Sequence, residues 1–151
     1  MTSKLGRVLT AREIMSLVSG DLEKVEENLR LESVGSVDSV SQIAQYLQSN
    51  GGKRLRPMLL LVTCRLFQKP DAQAIQLGTV VELIHAATLV HDDVIDEADT
   101  RRGKPSANVL WGNHTSVLAG DWLYMQAFQI ALRLQRFDVL ELLITLTQQM
   151  V

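Results

Sequence analysis

Cysteine is almost missing from this sequence of 151 residues, aromatic side chains make up only 5%, and basic residues are not in excess. The single cysteine, Cys64, excludes a disulfide framework and fits a reduced, cytoplasmic compartment. It lies inside the apolar run MLLLVTCRLF, where a small buried hydrophobe is expected. With 15 Lys and Arg against 17 Asp and Glu, the net charge of -2 argues against bulk nucleic-acid binding, which needs a strongly basic face, and leaves room for a local basic patch. The N-terminal stretch MTSKLGRVLTAREIM has neither an apolar h-region nor a cleavage site, so no secretory signal is read. No transmembrane segment is read either. The most apolar stretch, residues 72–95, is interrupted by Gln76, Glu82, His85 and His91 and suits a helix buried in protein. No alternating run predicts a strand, and no internal repeat is present. What is there is a chain 46% hydrophobic and 21% charged, fitting one all-α domain over residues 1–151.

The helices follow in order. Thr10 and Glu13 form a capping-box pattern that opens a first amphipathic helix reaching about residue 31. Residues 32–38 connect it to a second helix, which Ser39 and Gln42 cap and Asn50-Gly51-Gly52 stops. A buried helix is expected over residues 58–67, a turn over 68–71 and a long apolar helix over 72–96. A polar loop covers 100–106 and a short turn 108–111. Asn113 caps a helix to about residue 136, and Asp138 begins the last one. That final stretch, VLELLITLTQQMV, carries no Gly, Pro or charged C-cap, so it reads as part of a longer helical design.

Charge is concentrated in two places. The first is GGKRLRP, residues 51–57. Two glycines free the backbone, Lys53, Arg54 and Arg56 follow, and Pro57 suits a first helical turn. Cations at a loop-to-helix junction suit an anion, although the spacing is not that of a P-loop. The second is residues 83–104, LIHAATLVHDDVIDEADTRRGK. Its acids crowd the C-terminal end of a helix, where the dipole favours cations. At about 100° per residue, Asp92 and Asp96 share a face with His85, and Asp93 lies about 100° round. Hard oxygen donors suit Mg²⁺ carrying a phosphate better than zinc. Arg101 and Arg102, just beyond, can fork onto phosphate oxygens. His85 reads both as a hydrogen-bonded core residue and, by its alignment with Asp92, as a site residue; His91 is expected to pack or hydrogen-bond.

Taken together, GGKRLRP, ELIHAATLVHDDVIDEADTRRGKPS and GDWLYMQAF resemble the trans-prenyltransferases, the polyprenyl (isoprenyl) diphosphate synthases, over residues 44–134. The resemblance implies an all-α helical bundle of the isoprenoid synthase type, a homodimer, and Mg²⁺ as cofactor. It implies an allylic prenyl diphosphate and isopentenyl diphosphate as substrates, joined head to tail. Asp92, Asp93 and Asp96 match the first aspartate-rich motif and would be catalytic, with Asp92 and Asp96 as metal ligands. Lys53, Arg56, His85 and Arg102 match isopentenyl diphosphate contacts, and Arg101 matches an allylic diphosphate contact. Ala87 and Thr88, just before the motif, are small, which implies an open tunnel and a medium- or long-chain product. Phe128 and Met125 are candidates for its floor or for ordinary core. No second DDxxD occurs in the 151 residues, so the match is to the N-terminal half of such an enzyme, and little activity is expected from this chain alone. A non-catalytic diphosphate-binding subunit, an HD-type metallo-phosphohydrolase built on His85, His91 and Asp92, and a terpene cyclase are the competing readings.

Overall fold

The longest apolar stretch forms the helix around which the others pack. In this computed structural model, which describes residues 8–35, 37–67 and 71–150, eight helices are present. In chain order they are α1 (Ala11–Leu17), α2 (Ser19–Glu32), α3 (Asp38–Ser49), α4 (Leu55–Phe67), α5 (Ala72–Ile95), α6 (Ala107–Trp111), α7 (Asn113–Arg133) and α8 (Phe137–Gln149). A two-stranded antiparallel hairpin, β1 (Thr100–Arg101) and β2 (Lys104–Pro105), follows α5. The chain is all-α apart from that hairpin.

Helix α5 packs most extensively on α7, with α4 and α2 against its other sides. Its mean hydropathy reaches 1.3 over a window long enough to cross a bilayer, but 56% of that window is buried inside the fold. Leu83, Ala87 and Val90 of α5 join Val25, Leu29, Leu61, Leu123 and Ala127 in the interior. Asp71 caps α5 by accepting the Ala74 N–H at 2.9 Å; the rest of the expected turn, residues 68–70, lies outside the described residues. Cys64 is half-buried against the core.

Several boundaries differ from those the sequence predicts. The Thr10–Glu13 capping box forms, with Thr10 N–H donating to Glu13 Oε2 at 2.8 Å and Glu13 N–H to Thr10 Oγ1 at 3.3 Å. The helix it opens, however, breaks at Val18 and restarts as α2. Ser16, Val18, Ser19 and Gly20 are all poor helix formers, and the break lets Val18 bury completely. Ser39 does not cap α3. The cap is Val37, and Ser41 Oγ instead accepts the Gly35 N–H at 2.8 Å, closing the preceding turn. Helix α4 starts at Leu55, three residues early, with Pro57 inside its first turn, where its missing N–H costs nothing. Gly112 occupies the N-cap of α7, and Asn113 is the first helical residue. Helix α7 ends at Arg133, and α8 starts at Phe137 with Arg136 as its cap. The expected polar loop at 100–106 is the hairpin. Its central residues Arg102 and Gly103 have φ of 55° and 77°, the pair of left-handed residues that a type I′ turn requires. With two residues per strand, no alternation could announce it.

Candidate functional site

Four elements meet at the site: the loop into α4, the C-terminal half of α5, the hairpin and the N-terminal half of α7. The loop and the hairpin are stitched together. Arg102 donates to the Gly51 carbonyl, Lys104 Nζ donates to Asn50 Oδ1 at 2.9 Å, and Tyr46 Oη donates to the Pro105 carbonyl at 2.7 Å. Asn50 and Gly51 end α3, so the hairpin is anchored to that helix as well.

Lys53, Arg54, Arg56, His85 and Arg102 line one open cleft of about 490 Å³, together with Glu82 and the two glycines. Arg56 and His85 also border a second cleft of about 860 Å³, which continues past Thr88, His91 and Asp92 to Tyr124 of α7. Five cationic or imidazole groups thus border one space, with Arg54 among them but paired to acids, and a carboxylate stands in the next. Burial, then the cations Arg56, Arg102 and Arg101, push the His85 pKa below its usual value against the pull of Glu82. The imidazole is neutral at pH 7, with both a donor and an acceptor nitrogen.

The three aspartates of the DDVID motif do not share one environment. Asp93 is 1% exposed and gripped by Arg101, whose Nε lies 2.8 Å from both carboxylate oxygens and whose Nη2 lies 2.6 Å from Oδ1. Helical geometry explains this. Asp93 falls eleven residues after Glu82, three turns on, along a face that also holds Ala86 and Val90. Asp93 is therefore buried and paired with Arg101 of the hairpin, apart from Asp92 and Asp96. Asp92 and Asp96 are exposed on the other face, linked only through the backbone at 2.8 Å. Their carboxylates make no hydrogen bond or ion pair among the described residues. Two free hard-oxygen donors one turn apart have the chemistry of an Mg²⁺ site that relies on ligand oxygens and water for the rest of its shell.

The basic loop divides in the same way. Arg54 is 13% exposed at its side chain and pairs with Glu26 of α2 and with Glu82 of α5, the latter at 2.9 Å. Neither glutamate stood out in the sequence as a site residue; the one available signal was an acid at 82 inside the most apolar helix. Gly120 was also missed. A Cβ there would sit 2.3 Å from His91 Nε2, so only glycine lets His91 reach the Val117 carbonyl at 3.1 Å. His91 thus bonds to backbone. Among the described residues no three His, Cys, Asp or Glu side chains converge to hold a metal unaided. Ala87 is completely buried in the core and does not face the cleft; Thr88 does. Phe128 is half-buried against the core and stacked on Tyr124 at 6.4 Å, and the Met125 side chain is exposed.

A helical bundle with carboxylates at one helix end and a cationic cleft beside them is the isoprenoid synthase arrangement, and solved structures agree. A decaprenyl diphosphate synthase from Rhodobacter capsulatus superposes with a TM-score of 0.85 at 37% identity, covering 89% of this chain and 42% of that one. A polyprenyl synthase from Caulobacter crescentus, solved with calcium and isoprenyl diphosphate, gives 0.86 at 33% identity over 93% and 43% of the two chains. The octaprenyl diphosphate synthase of Haemophilus influenzae is 37% identical over 90% of this chain and 41% of its own length. The nonaprenyl diphosphate synthase of Mycobacterium tuberculosis is 42% identical over 78% and 35%. The family model "Polyprenyl synthetase" matches residues 37–151. The chain belongs to the polyprenyl synthetase family, and it spans about two fifths of the length of the relatives it matches.

Proposed function

We propose that this chain forms the diphosphate-binding wall of a trans-polyprenyl diphosphate synthase. The single observation that carries the reading is the convergence of Lys53, Arg56, His85 and Arg102 on one cleft that adjoins, at Arg56 and His85, a second cleft bordered by Asp92. In this reading the first cleft takes isopentenyl diphosphate, and the second takes an allylic diphosphate with its tail running toward Thr88 and Tyr124. Asp92 and Asp96 would hold Mg²⁺, whose charge neutralises the departing diphosphate. The allylic C–O bond breaks, the isopentenyl double bond attacks the resulting cation to form the new C–C bond, and a proton is lost. Lys53, Arg56 and Arg102 orient the second diphosphate, and the apolar lining excludes water from the cation. No second aspartate-rich motif is present in the 151 residues, so this chain is expected to bind substrates with little turnover.

Calorimetric titration with isopentenyl diphosphate tests the reading. Binding that is lost in Lys53→Ala and Arg56→Ala supports it; binding indifferent to both sinks it. Small side chains beside the second cleft favour a medium- or long-chain product, and the position to probe is Thr88. Thr88→Phe should weaken binding of geranylgeranyl diphosphate while leaving isopentenyl diphosphate unaffected. A homodimer is the expected assembly. Leu118, Met125 and Leu132, exposed at seven-residue intervals on α7, are the surface offered for it, and light scattering of the wild type against Met125→Lys is the check.

A further inference from the structure

We infer that Arg54, which no substrate role requires, is a positioning residue of the cationic cleft, clamped by Glu26 and Glu82 so that the loop presents Lys53 and Arg56 to an incoming diphosphate. The inference rests on the diphosphate reading above.

Three cations within four residues repel one another, and an anion site wants their charges pointing one way. Arg54 is withdrawn from the set: Glu26 and Glu82 take its guanidinium from two different helices. The clamp also holds an unfavourable backbone. Arg54 has φ of 46°, a left-handed conformation that is unfavourable for a residue with a side chain and persists where the surroundings over-determine it. That conformation turns the chain from Gly51 and Gly52 into α4. Gly52 lies between the two fastenings. A Cβ there would come within 3.2 Å of both the Arg54 and the Arg102 guanidinium. Arg102 grips the Gly51 carbonyl from the hairpin side while Arg54 grips α2 and α5. The loop is held from two directions; all three of its cations border the cleft, but Arg54 is neutralised by its acids while Lys53 and Arg56 stay exposed.

Electrostatics gives the test a sign. Glu26 and Glu82 are negative charges near an anion site. If they acted only through their charge, neutralising either would strengthen anion binding. If they act by holding Arg54, neutralising them weakens it. The probe is inorganic diphosphate, titrated by calorimetry without divalent cation into this chain at a temperature where circular dichroism shows every variant folded. Glu26 is half exposed, so Glu26→Gln should fold normally and lower the affinity about threefold, the loss of one arm of a charge-assisted bond. Glu82→Leu keeps the core apolar and should lower it about tenfold. Arg54→Lys keeps the charge but cannot fork across two acids, and should lower it by a similar factor. Tighter or unchanged binding in Glu26→Gln and Glu82→Leu, with wild-type binding still dependent on Lys53 and Arg56, overturns the positioning role and leaves the cleft reading standing. Absence of binding in the wild type, or indifference to Lys53→Ala and Arg56→Ala, overturns both. A purely structural Arg54 would lower the melting temperature of Arg54→Lys without moving the affinity of the folded protein.

Discussion

The basic loop and the acidic helix end are built to the same plan with opposite charge. Each motif carries three charged groups: Lys53, Arg54 and Arg56 in one, Asp92, Asp93 and Asp96 in the other. In each, the middle group is withdrawn and paired while the outer two are exposed. The difference lies in where the partner comes from. Asp93 takes Arg101 from eight residues further along the chain, whereas Arg54 takes Glu26 and Glu82, each 28 residues away. The acidic site is therefore fastened locally, to its own hairpin. The basic site is fastened by the tertiary fold and depends on α2 and α5 being docked. Both fastenings place the outer charges without consuming them.

Breaking the local fastening has the largest expected effect. Arg101→Met leaves the buried Asp93 carboxylate unpaired and should cost about 3–5 kcal/mol in urea denaturation; a loss below about 1 kcal/mol would mean Asp93 reaches water or another partner. Arg54→Met should cost less, about 1.5–3 kcal/mol, because half-exposed Glu26 regains water and only Glu82 is stranded. A larger loss than for Arg101→Met would reverse the ranking of the two sites. The outer charges predict the opposite sign. Asp96→Asn removes a negative charge from a helix C-terminus and should stabilise the fold by about 0.3–1 kcal/mol while abolishing Mg²⁺-dependent binding of an allylic diphosphate. If stability fell instead, Asp96 would be structural like Asp93. The smallest effect concerns pH. His85 titrates lower in the fold than its usual 6.5, so as the pH falls below that value the unfolded chain takes up the proton first. His85 therefore contributes nothing to the pH dependence above that range and a growing destabilisation below it. Melting curves at pH 7.5 and 5.5 should show a smaller acid loss in His85→Gln than in the wild type.

Much of this was legible because the informative residues are close in sequence. The all-α class, a buried helix over residues 72–95 and the pairing of a basic loop with an acidic helix end all follow from periodicity and local charge. The division of labour inside each motif did not. Helical spacing showed that Asp93 points away from Asp92 and Asp96, but not that Arg101 would meet it there. Nothing near Arg54 names Glu26 or Glu82, because the contact is made by docked helices. The same limit explains Ala87 and Thr88. Two adjacent small residues look equivalent in sequence, yet one helical step separates the packed core from the cleft wall. The break at Val18 arose from a competition between continuing a helix of weak formers and burying one valine.

The two buried acids of α5 make that helix a ruler. Glu82 receives the loop that precedes α4, and Asp93 receives the hairpin that follows α5. Eleven residues separate them, about 16 Å along the axis with about three whole turns between. One residue inserted anywhere between them would swing one acid through about 100° and leave either the loop or the hairpin without its anchor. The distance between the anchored loop and the anchored hairpin is thus set by counting peptide units. Substitutions along this segment can be absorbed one at a time, but a change in its length cannot.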